Sequence, residues 1–258
     1  YIIYLMIDTA QINKYPNSEG FTLENKISDK ELNQFKKFIN AQWHERIKLI
    51  NPKIASEIDK KNIKIENYHK ISHTLKHEEI WSKSNRILPF TFVDWFKNSN
   101  FVRSLESRYG EFTISDEDNL GRPNIYWRLV RPGYPQDVGP LHRDSWFWQL
   151  NDKFPKPNYS FSRLKVWIPI FTERGSNGLL VEPYSHNRKD IKWYGESRHG
   201  IKKPTLKTNL DKLNPILLNT EAGDSVVFND NLIHGGAINN GLKCRVSVEF
   251  TMLIKEVK

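Results

Sequence analysis

Two histidines and one aspartate have the residue types and the spacing of metal ligands. His142 and Asp144 are two positions apart. Alternate side chains of a β-strand point to the same side, so a strand over residues 140–148 would aim both at one metal ion. His234 is the best third candidate. Two histidines and one carboxylate form the facial triad that suits Fe(II) and leaves coordination positions open.

An arginine on the last predicted strand supports this interpretation, because a His-x-Asp pattern alone is common by chance. Arg245 follows His234 by eleven positions, and the turn at 239–241 between them predicts neighbouring antiparallel strands. The strand 244–254 has an apolar face and a polar face that carries Arg245, Ser247, Glu249 and Thr251. A guanidinium there suits two-point binding of a carboxylate, with a hydrogen bond from Ser247. A surface salt bridge is the alternative for Arg245.

The strand predicted at 162–171 has the same division into two faces. One face is apolar, with Leu164, Val166, Ile168 and Ile170. The other carries Arg163, Lys165, Trp167 and Phe171. If this second face and the polar face of strand 244–254 line one cavity, Lys165 brings positive charge to a substrate there. A solvated face is the alternative interpretation.

Four more side chains are candidates for contacts with a bound molecule. Trp146 and Trp148 share the parity of His142 and Asp144 if that strand continues, and could stack on a ring or a sugar face. Core packing is their alternative. Tyr126 and Arg128 share a face of the strand predicted at 124–131. Arg128 is a candidate to bind a cosubstrate or an acidic substrate. The alternative is that it is only a surface charge.

The elements that must position these residues change in character along the chain. Ser28 and Glu31 form a capping-box pattern before apolar residues at helical spacing, and further helices are predicted at 72–84 and from 98 or 99 to Gly110. Short β-branched and aromatic segments follow. The predicted strands are 124–131, 140–148, 162–171, 179–182, 216–219, 225–229, 232–237 and 244–254.

This order predicts one mainly β domain over residues 1–258 with a helical N-terminal part. Residues 1–110 are the largely helical flanking region, and residues 111–258 are a jelly-roll core. The polar and basic stretch 185–213 is predicted to be a surface insertion that can act as a lid.

Composition limits the cellular setting and the partners. The chain has 258 residues, a formal net charge of +9 and one cysteine, Cys244. The positive charge favours an acidic partner or serves solubility alone, and its scattered lysines count against a nucleic-acid-binding tail. A single cysteine cannot form an intrachain disulfide, which permits a reducing compartment, and we expect a cytoplasmic location. The apolar start 1–7 is too short for a signal peptide or a membrane span.

Four sequence blocks resemble the phytanoyl-CoA dioxygenase family over residues 124–251, about half of the chain. The first is His142-Arg143-Asp144. The second is Val166-Trp167-Ile168-Pro169 followed by Asn177-Gly178-Leu179 and the corner Glu182-Pro183-Tyr184-Ser185-His186. The third is Ala222-Gly223-Asp224-Ser225 leading to His234, and the fourth is Arg245.

The resemblance implies a cupin-like double-stranded β-helix with Fe(II) bound by His142, Asp144 and His234. It implies that 2-oxoglutarate chelates the iron and pairs with Arg245, that O2 is consumed, and that Trp167 contacts 2-oxoglutarate. Ser247 fits a related Arg-x-Ser pattern. Two residues depart from the family pattern: Tyr184 replaces the usual glycine of the corner, and Gly236 stands where some members of the family carry a Ser or Thr hydroxyl. His186 is expected to make a structural hydrogen bond.

The activity that follows is hydroxylation of a small molecule, with an anionic metabolite, a natural product or a sugar as the substrate class. Three alternatives stay open. A nucleic-acid demethylase of the same superfamily is disfavoured, because the residues 246–255 after Arg245 contain no second arginine. The others are a metal-binding jelly roll that acts as an isomerase or sugar-binding module, and a scaffold without catalysis.

Overall fold

Six α-helices lie before or beside a set of eleven strands in the computed structural model, which describes residues 16–150, 161–198 and 201–255. The apolar start 1–7 lies outside these residues. The α-helices are α1 (Asp29–Ile50), α2 (Pro52–Lys61), α3 (His77–Ile80), α4 (Phe90–Lys97), α5 (Asn100–Tyr109) and α6 (Asp144–Leu150). Short 3-10 helices lie at Ile65–Lys70, Ser72–Thr74, Lys83–Arg86, Pro135–Asp137, Ser185–Asn187 and Leu210–Lys212. None of the described helices is both long enough and apolar enough to cross a bilayer.

The ends of two helices follow the predicted capping signals. Ser28 accepts a hydrogen bond from the backbone of Glu31, whose carboxylate bonds back to Ser28, so the capping box is confirmed. Ser99 caps α5, which ends at Gly110 with φ of 88°. The single helix predicted at 72–84 is wrong.

That segment breaks into short turns because its side chains compete for the backbone. Ser72 and Thr74 donate hydrogen bonds to the carbonyl oxygens of His69 and Ile71. Such local bonds offer the chain an alternative to a continuous helix. The helices α2 and α4 were not predicted from the sequence.

The strands form one large sheet, one small sheet and a hairpin. Their bounds are β1 (Phe21–Glu24), β2 (Phe112–Ile114), β3 (Tyr126–Val130), β4 (Phe161–Phe171), β5 (Leu179–Val181), β6 (Trp193–Arg198), β7 (Ile201–Leu206), β8 (Ile216–Leu217), β9 (Ser225–Asn229), β10 (His234–Gly236) and β11 (Arg245–Lys255). The large sheet has the order β1-β9-β4-β11-β2, with β3 also paired to β11. The small sheet is β10-β5-β8, and β6 pairs with β7. All of these pairs are antiparallel.

Two apolar layers hold the sheets and helices together. The large sheet buries the apolar faces of β4 and β11 against the helices, with Val166, Val248 and Phe250 beside Phe35 and Phe96. Its other face packs on the small sheet through a second core: Phe21, Trp167, Leu179, Val181, Leu218, Val226, Phe228 and Leu232. Two antiparallel sheets face to face, with helices outside, confirm the jelly-roll fold.

The stretch predicted as a surface insertion is anchored to the rest of the molecule in its described parts, residues 185–198 and 201–213. They contain the hairpin β6–β7, and α6 packs against β7. Ile191 and Leu213 flank the hairpin and are buried with Trp146 and Ile233 in a third core. The segment is therefore attached to the rest of the molecule beside the helix that carries Asp144.

Candidate functional site

His142, Asp144 and His234 converge, as predicted. One ligand atom from each lies within 4.8 Å of the others. Nε2 of His142 is 3.6 Å from Oδ1 of Asp144, and Nε2 of His234 is 3.6 Å from Oδ2 of the same carboxylate. This arrangement of two imidazoles and one carboxylate is the donor set that suits Fe(II).

The backbone that positions these ligands is not the single strand that the sequence predicted. His142 pairs with His234 in an isolated antiparallel bridge, with both N–H···O distances 3.0 Å. Asp144 is the first residue of α6, so the predicted strand 140–148 is wrong. Between them Arg143 donates hydrogen bonds to the carbonyl oxygens of Ser185 and Arg188, at 2.6 and 2.7 Å. The turn between bridge and helix is thereby tied to the 185–188 corner.

Hydrogen bonds orient both imidazole rings toward the carboxylate. Nδ1 of His142 lies 2.8 Å from the carbonyl oxygen of Pro140, and Nδ1 of His234 lies 3.0 Å from that of Leu232. A carbonyl oxygen only accepts, so each Nδ1 carries the proton. In the neutral ring, the lone pair is then on Nε2, which faces Asp144.

The charge states also suit a divalent cation. Burial lowers the pKa of His234 to about 4, so this ring is neutral at pH 7. Burial opposes the charge on Asp144, but the ammonium of Lys165 and the two histidines outweigh it and hold the pKa of Asp144 well below its usual range. The site thus offers an ionised carboxylate and a neutral imidazole without first losing protons from them.

Arg245 is also buried, and it has no acidic partner among the described residues. Its side chain is buried, Nη1 donates to the carbonyl oxygen of Gly178 at 2.9 Å, and Nε has no hydrogen-bond partner among the described residues. Its guanidinium lies 6.0 Å from the centre of the Trp167 ring. Burial lowers the pKa of Arg245 to about 10, which still leaves it charged at pH 7. A buried, unpaired guanidinium fits the carboxylate of a bound anion such as 2-oxoglutarate.

The predicted pairing of the His234 and Arg245 strands is wrong. β10 pairs with β5 in the small sheet, whereas β11 pairs with β2, β3 and β4 in the large one. The connection crosses between sheets at Asn239, whose Nδ2 donates to the carbonyl oxygens of Val130 and Lys243. The two residues therefore lie on different sheets of the jelly roll.

The polar face of β11 is as predicted. Arg245, Ser247 and Thr251 are buried opposite the apolar face, and Glu249 is partly buried. Ser247 is in register with Arg128 on β3. On β4 the predicted faces hold for Lys165 and Trp167. Phe171 instead packs against the helical core, because the pairing of β4 with β11 shifts register at Val246 and Ser247.

Arg128 and Tyr126 have partners within the protein. Arg128 donates from Nε and Nη2 to Oε1 of Glu249, at 3.0 and 2.9 Å. Burial opposes the charge of Glu249, but Arg128 and Lys165 lower its pKa to about 2. The Arg128 side chain is 43% exposed, so it can still meet a ligand. Tyr126 is buried, and its hydroxyl bonds to Asn124 at 3.1 Å, so it presents little surface for a substrate.

The tryptophans of α6 are not placed as the strand interpretation required. Trp146 is buried in the third core and stacks on Trp193, with ring centres 5.3 Å apart. The ring of Trp148 packs under the Arg163 guanidinium at 4.8 Å. Phe147 instead meets the metal centre, with its ring edge-to-face on His142 at 5.3 Å. Strand parity did not predict this role for Phe147, because only a helix starting at Asp144 turns it toward His142.

Lys165 lies behind Asp144. Its Nζ is 3.0 Å from Oε1 of Glu117, 3.1 Å from Oγ1 of Thr251 and 3.9 Å from Oδ2 of Asp144. Burial opposes its charge, but these carboxylates outweigh it and raise the pKa of Lys165. The lysine is therefore a buried cation with partners inside the protein.

The corner 182–186 is held by hydrogen bonds. Ser185 Oγ accepts from the backbone N–H of Ile233 at 2.8 Å, next to His234. His186 bonds to the side chain of Asn187 at 3.0 Å, so its predicted structural hydrogen bond is confirmed. Tyr184 has φ of 62°, which explains why glycine is usual at this position: the corner needs a left-handed backbone.

Comparison with known proteins agrees with this site and fold. The family model for phytanoyl-CoA dioxygenase (PhyH) matches residues 21–247. No curated protein sequence matches the chain.

Solved structures share the fold at low sequence identity. The apoform of EctD from S. alaskensis superposes with a TM-score of 0.54 at 14% identity, over 98% of this chain and 79% of that one. Apo ThoJ, a non-heme monooxygenase, superposes with a TM-score of 0.52 at 12% identity, over 93% of this chain and 82% of that one. SnoK, a non-heme alpha ketoglutarate dependent carbocyclase from nogalamycin biosynthesis, superposes with a TM-score of 0.51 at 10% identity, over 92% of this chain and 80% of that one. These likenesses show the fold.

The family match covers most of the chain and includes the candidate iron-binding triad of His142, Asp144 and His234. Fe(II) and 2-oxoglutarate are the cofactors, and the residues present fit both. The chain belongs to the phytanoyl-CoA dioxygenase family and is an Fe(II)- and 2-oxoglutarate-dependent oxygenase.

Proposed function

We propose that this oxygenase hydroxylates a small molecule, with iron held by His142, Asp144 and His234 and the distal carboxylate of 2-oxoglutarate bound by Arg245. The observation that carries the proposal is the pairing of a convergent triad with a buried guanidinium that has no acidic partner among the described residues. When bound, iron and 2-oxoglutarate supply the capacity to activate O2.

The protein's own residues bind, orient and shield. His142 and His234 present Nε2 because their Nδ1 protons are held by carbonyl oxygens. Trp167 closes one side of the Arg245 guanidinium, and Ser247 follows Arg245 on the same face of β11, in register with Arg128. We propose that both contact 2-oxoglutarate. Phe147 packs on His142 and limits access of water from that side.

We propose an anionic or polar substrate, because the half-exposed residue beside the site is a cation. Arg128 binds Glu249 through Nε and Nη2, and its 43% exposure leaves part of the guanidinium open to a ligand. A metal-binding jelly roll without oxygenase activity would have no use for a buried Arg245, since an unpaired buried charge is costly. That cost supports the cosubstrate assignment.

Turnover of 2-oxoglutarate tests the proposal. Purified protein with Fe(II), O2 and labelled 2-oxoglutarate should release succinate slowly without substrate, and faster when an anionic small molecule that is a substrate is added. His234→Ala should abolish release, and ¹⁸O from labelled O2 should enter the product as a hydroxyl. Iron-loaded wild-type protein that releases no succinate under any of these conditions would instead be a scaffold or an isomerase.

A further inference from the structure

A buried chain of charged and polar groups lies behind the candidate metal centre, next to Asp144. It consists of Lys165, Glu117 and Thr251. Their side chains come from three separate elements: β4, the segment between β2 and β3, and β11. Lys165 and Thr251 are directly opposite in the β4–β11 ladder. The chain therefore depends on the large sheet and not on one loop.

Lys165 is held by three oxygen atoms. Its Nζ is 3.0 Å from Glu117, 3.1 Å from Thr251 and 3.9 Å from Oδ2 of Asp144. The Lys165 side chain is 7% exposed and that of Glu117 is 12% exposed. A lysine in such a place is costly unless it is paired, and two carboxylates supply the pairing.

Asp144 lacks other support at the oxygen that faces Lys165. Its Oδ2 is buried and accepts no hydrogen bond from the described residues. Among the described residues, this atom is approached by the Lys165 ammonium at 3.9 Å and by the His234 imidazole at 3.6 Å. A metal-binding carboxylate is ordinarily oriented by partners behind it, and loss of such partners typically weakens metal binding.

We propose that Lys165 is a positioning residue that aims Asp144 at the metal, and that Glu117 and Thr251 hold Lys165 in place. This differs from the substrate contact predicted from the sequence, and it rests on the proposed function. Lys165 acts before the metal arrives, because its attraction to Asp144 does not need the metal. Glu117 limits the repulsion between the ammonium and the incoming cation by balancing the charge.

Mn(II) binding tests this inference without turnover. The affinity of the metal-free protein for Mn(II) is measured by electron paramagnetic resonance for wild type, Lys165→Met and Lys83→Met. Lys83 is a matched control, since it also approaches Glu117, at 3.7 Å, but is 48% exposed. Lys165→Met should bind Mn(II) about 10- to 100-fold more weakly than wild type, whereas Lys83→Met should match wild type.

The opposite result is also informative. If Lys165 only repelled the cation, Lys165→Met would bind Mn(II) as tightly as wild type or more tightly, and the inference would be overturned. Wild-type protein that binds no Mn(II) would contradict the proposed function itself. The two failures are therefore distinguishable.

Two further measurements separate positioning from a loss of stability. The complex of Fe(II) with 2-oxoglutarate gives a weak charge-transfer band in visible light. The wavelength of this band should shift in Lys165→Met, whereas instability alone would lower the amplitude of the band without shifting its wavelength. If Lys165→Met does not fold, Thr251→Val decides, because it removes one Lys165 partner without changing charge. Weaker Mn(II) binding in folded Thr251→Val supports the inference, and unchanged binding overturns it.

Discussion

Gly236 and Arg245 face each other across the two sheets. A Cβ atom on residue 236 would lie 3.2 Å from Nη2 of Arg245 and 3.2 Å from Cγ1 of Val138. Gly236 is on β10, two residues after His234, whereas Arg245 begins β11. The absence of a side chain at 236 leaves room for the guanidinium, which explains this departure from the hydroxyl residue found in some relatives.

Gly236→Ala should therefore weaken binding of 2-oxoglutarate but not of metal. The added methyl group must displace Nη2 or Val138 by a few tenths of an ångström, and misplacing the guanidinium should raise the dissociation constant for 2-oxoglutarate about tenfold. Calorimetric titration of 2-oxoglutarate into Mn(II)-loaded protein measures this. Gly139→Ala is the control, because nothing lies within 4 Å of the position that its methyl group would take. Equal affinities in the two variants would show that Gly236 does not set the space for Arg245.

Replacing Tyr184 should show that the corner before His186 is strained. Its φ of 62° is in the left-handed region, and its side chain is 55% exposed. Tyr184→Gly should raise the free energy of unfolding by up to about 1 kcal/mol, since relief of strain exceeds the entropy that glycine adds to the unfolded chain. Tyr184→Val should lower it, because a β-branched residue fits that region poorly.

Urea denaturation measures both variants against Tyr194→Gly. Tyr194 is similarly exposed but lies within β6, where glycine should destabilise by about 0.5–1 kcal/mol. If Tyr184→Gly destabilises as much as Tyr194→Gly, the left-handed corner is not a source of strain.

Acid should destabilise the metal-free protein through His77. Burial lowers the pKa of His77 to about 4 from an ordinary value of 6.5, although Asp137, 3.5 Å away, acts in the opposite direction. Between pH 6.5 and 4 the unfolded chain binds a proton at His77 that the folded chain does not. Stability is therefore lost as the pH falls through this window, by about 3 kcal/mol in total.

The slope of stability against pH isolates this contribution. Between pH 6.5 and 4, the slope of the free energy of unfolding against pH should be smaller in His77→Gln than in wild type. The difference should correspond to about one bound proton. His234 has a similarly lowered pKa and titrates in both proteins, so it cancels in the difference. Parallel curves for the two proteins would mean that His77 is not buried in its neutral form.

The predictability of the fold differed between elements for physical reasons. β9 has the predicted bounds, because its short apolar run is buried on both faces of the large sheet. β11 begins one residue late, and its alternation of apolar and polar residues made it recognisable as a strand with one apolar and one polar face. β1 was missed because it is only four residues long and gains its stability from pairing with β9. Pairing partners far away in the chain leave no local signal.

The sequence predicted which residues form the candidate site better than it predicted the secondary structure that carries them. His142, Asp144 and His234 come together although Asp144 is on a helix, since the metal-ligand chemistry constrains side-chain positions and not the elements that supply them. Phe147 could not be found from strand parity. The position of Lys165 behind Asp144 depends on Glu117, which had no recognisable motif.

Anaerobic titration of 2-oxoglutarate into Fe(II)-loaded protein shows whether the triad and Arg245 together bind the metal and the cosubstrate. Chelation of Fe(II) by 2-oxoglutarate gives a weak charge-transfer band in visible light. We expect the band to appear in wild type, to be absent in His234→Ala and to be greatly weakened in Arg245→Ala. Wild-type protein that binds Fe(II) but forms no band would not be a 2-oxoglutarate-dependent oxygenase. A band that persists at full strength in both variants would show that His234 and Arg245 do not bind the metal and the cosubstrate.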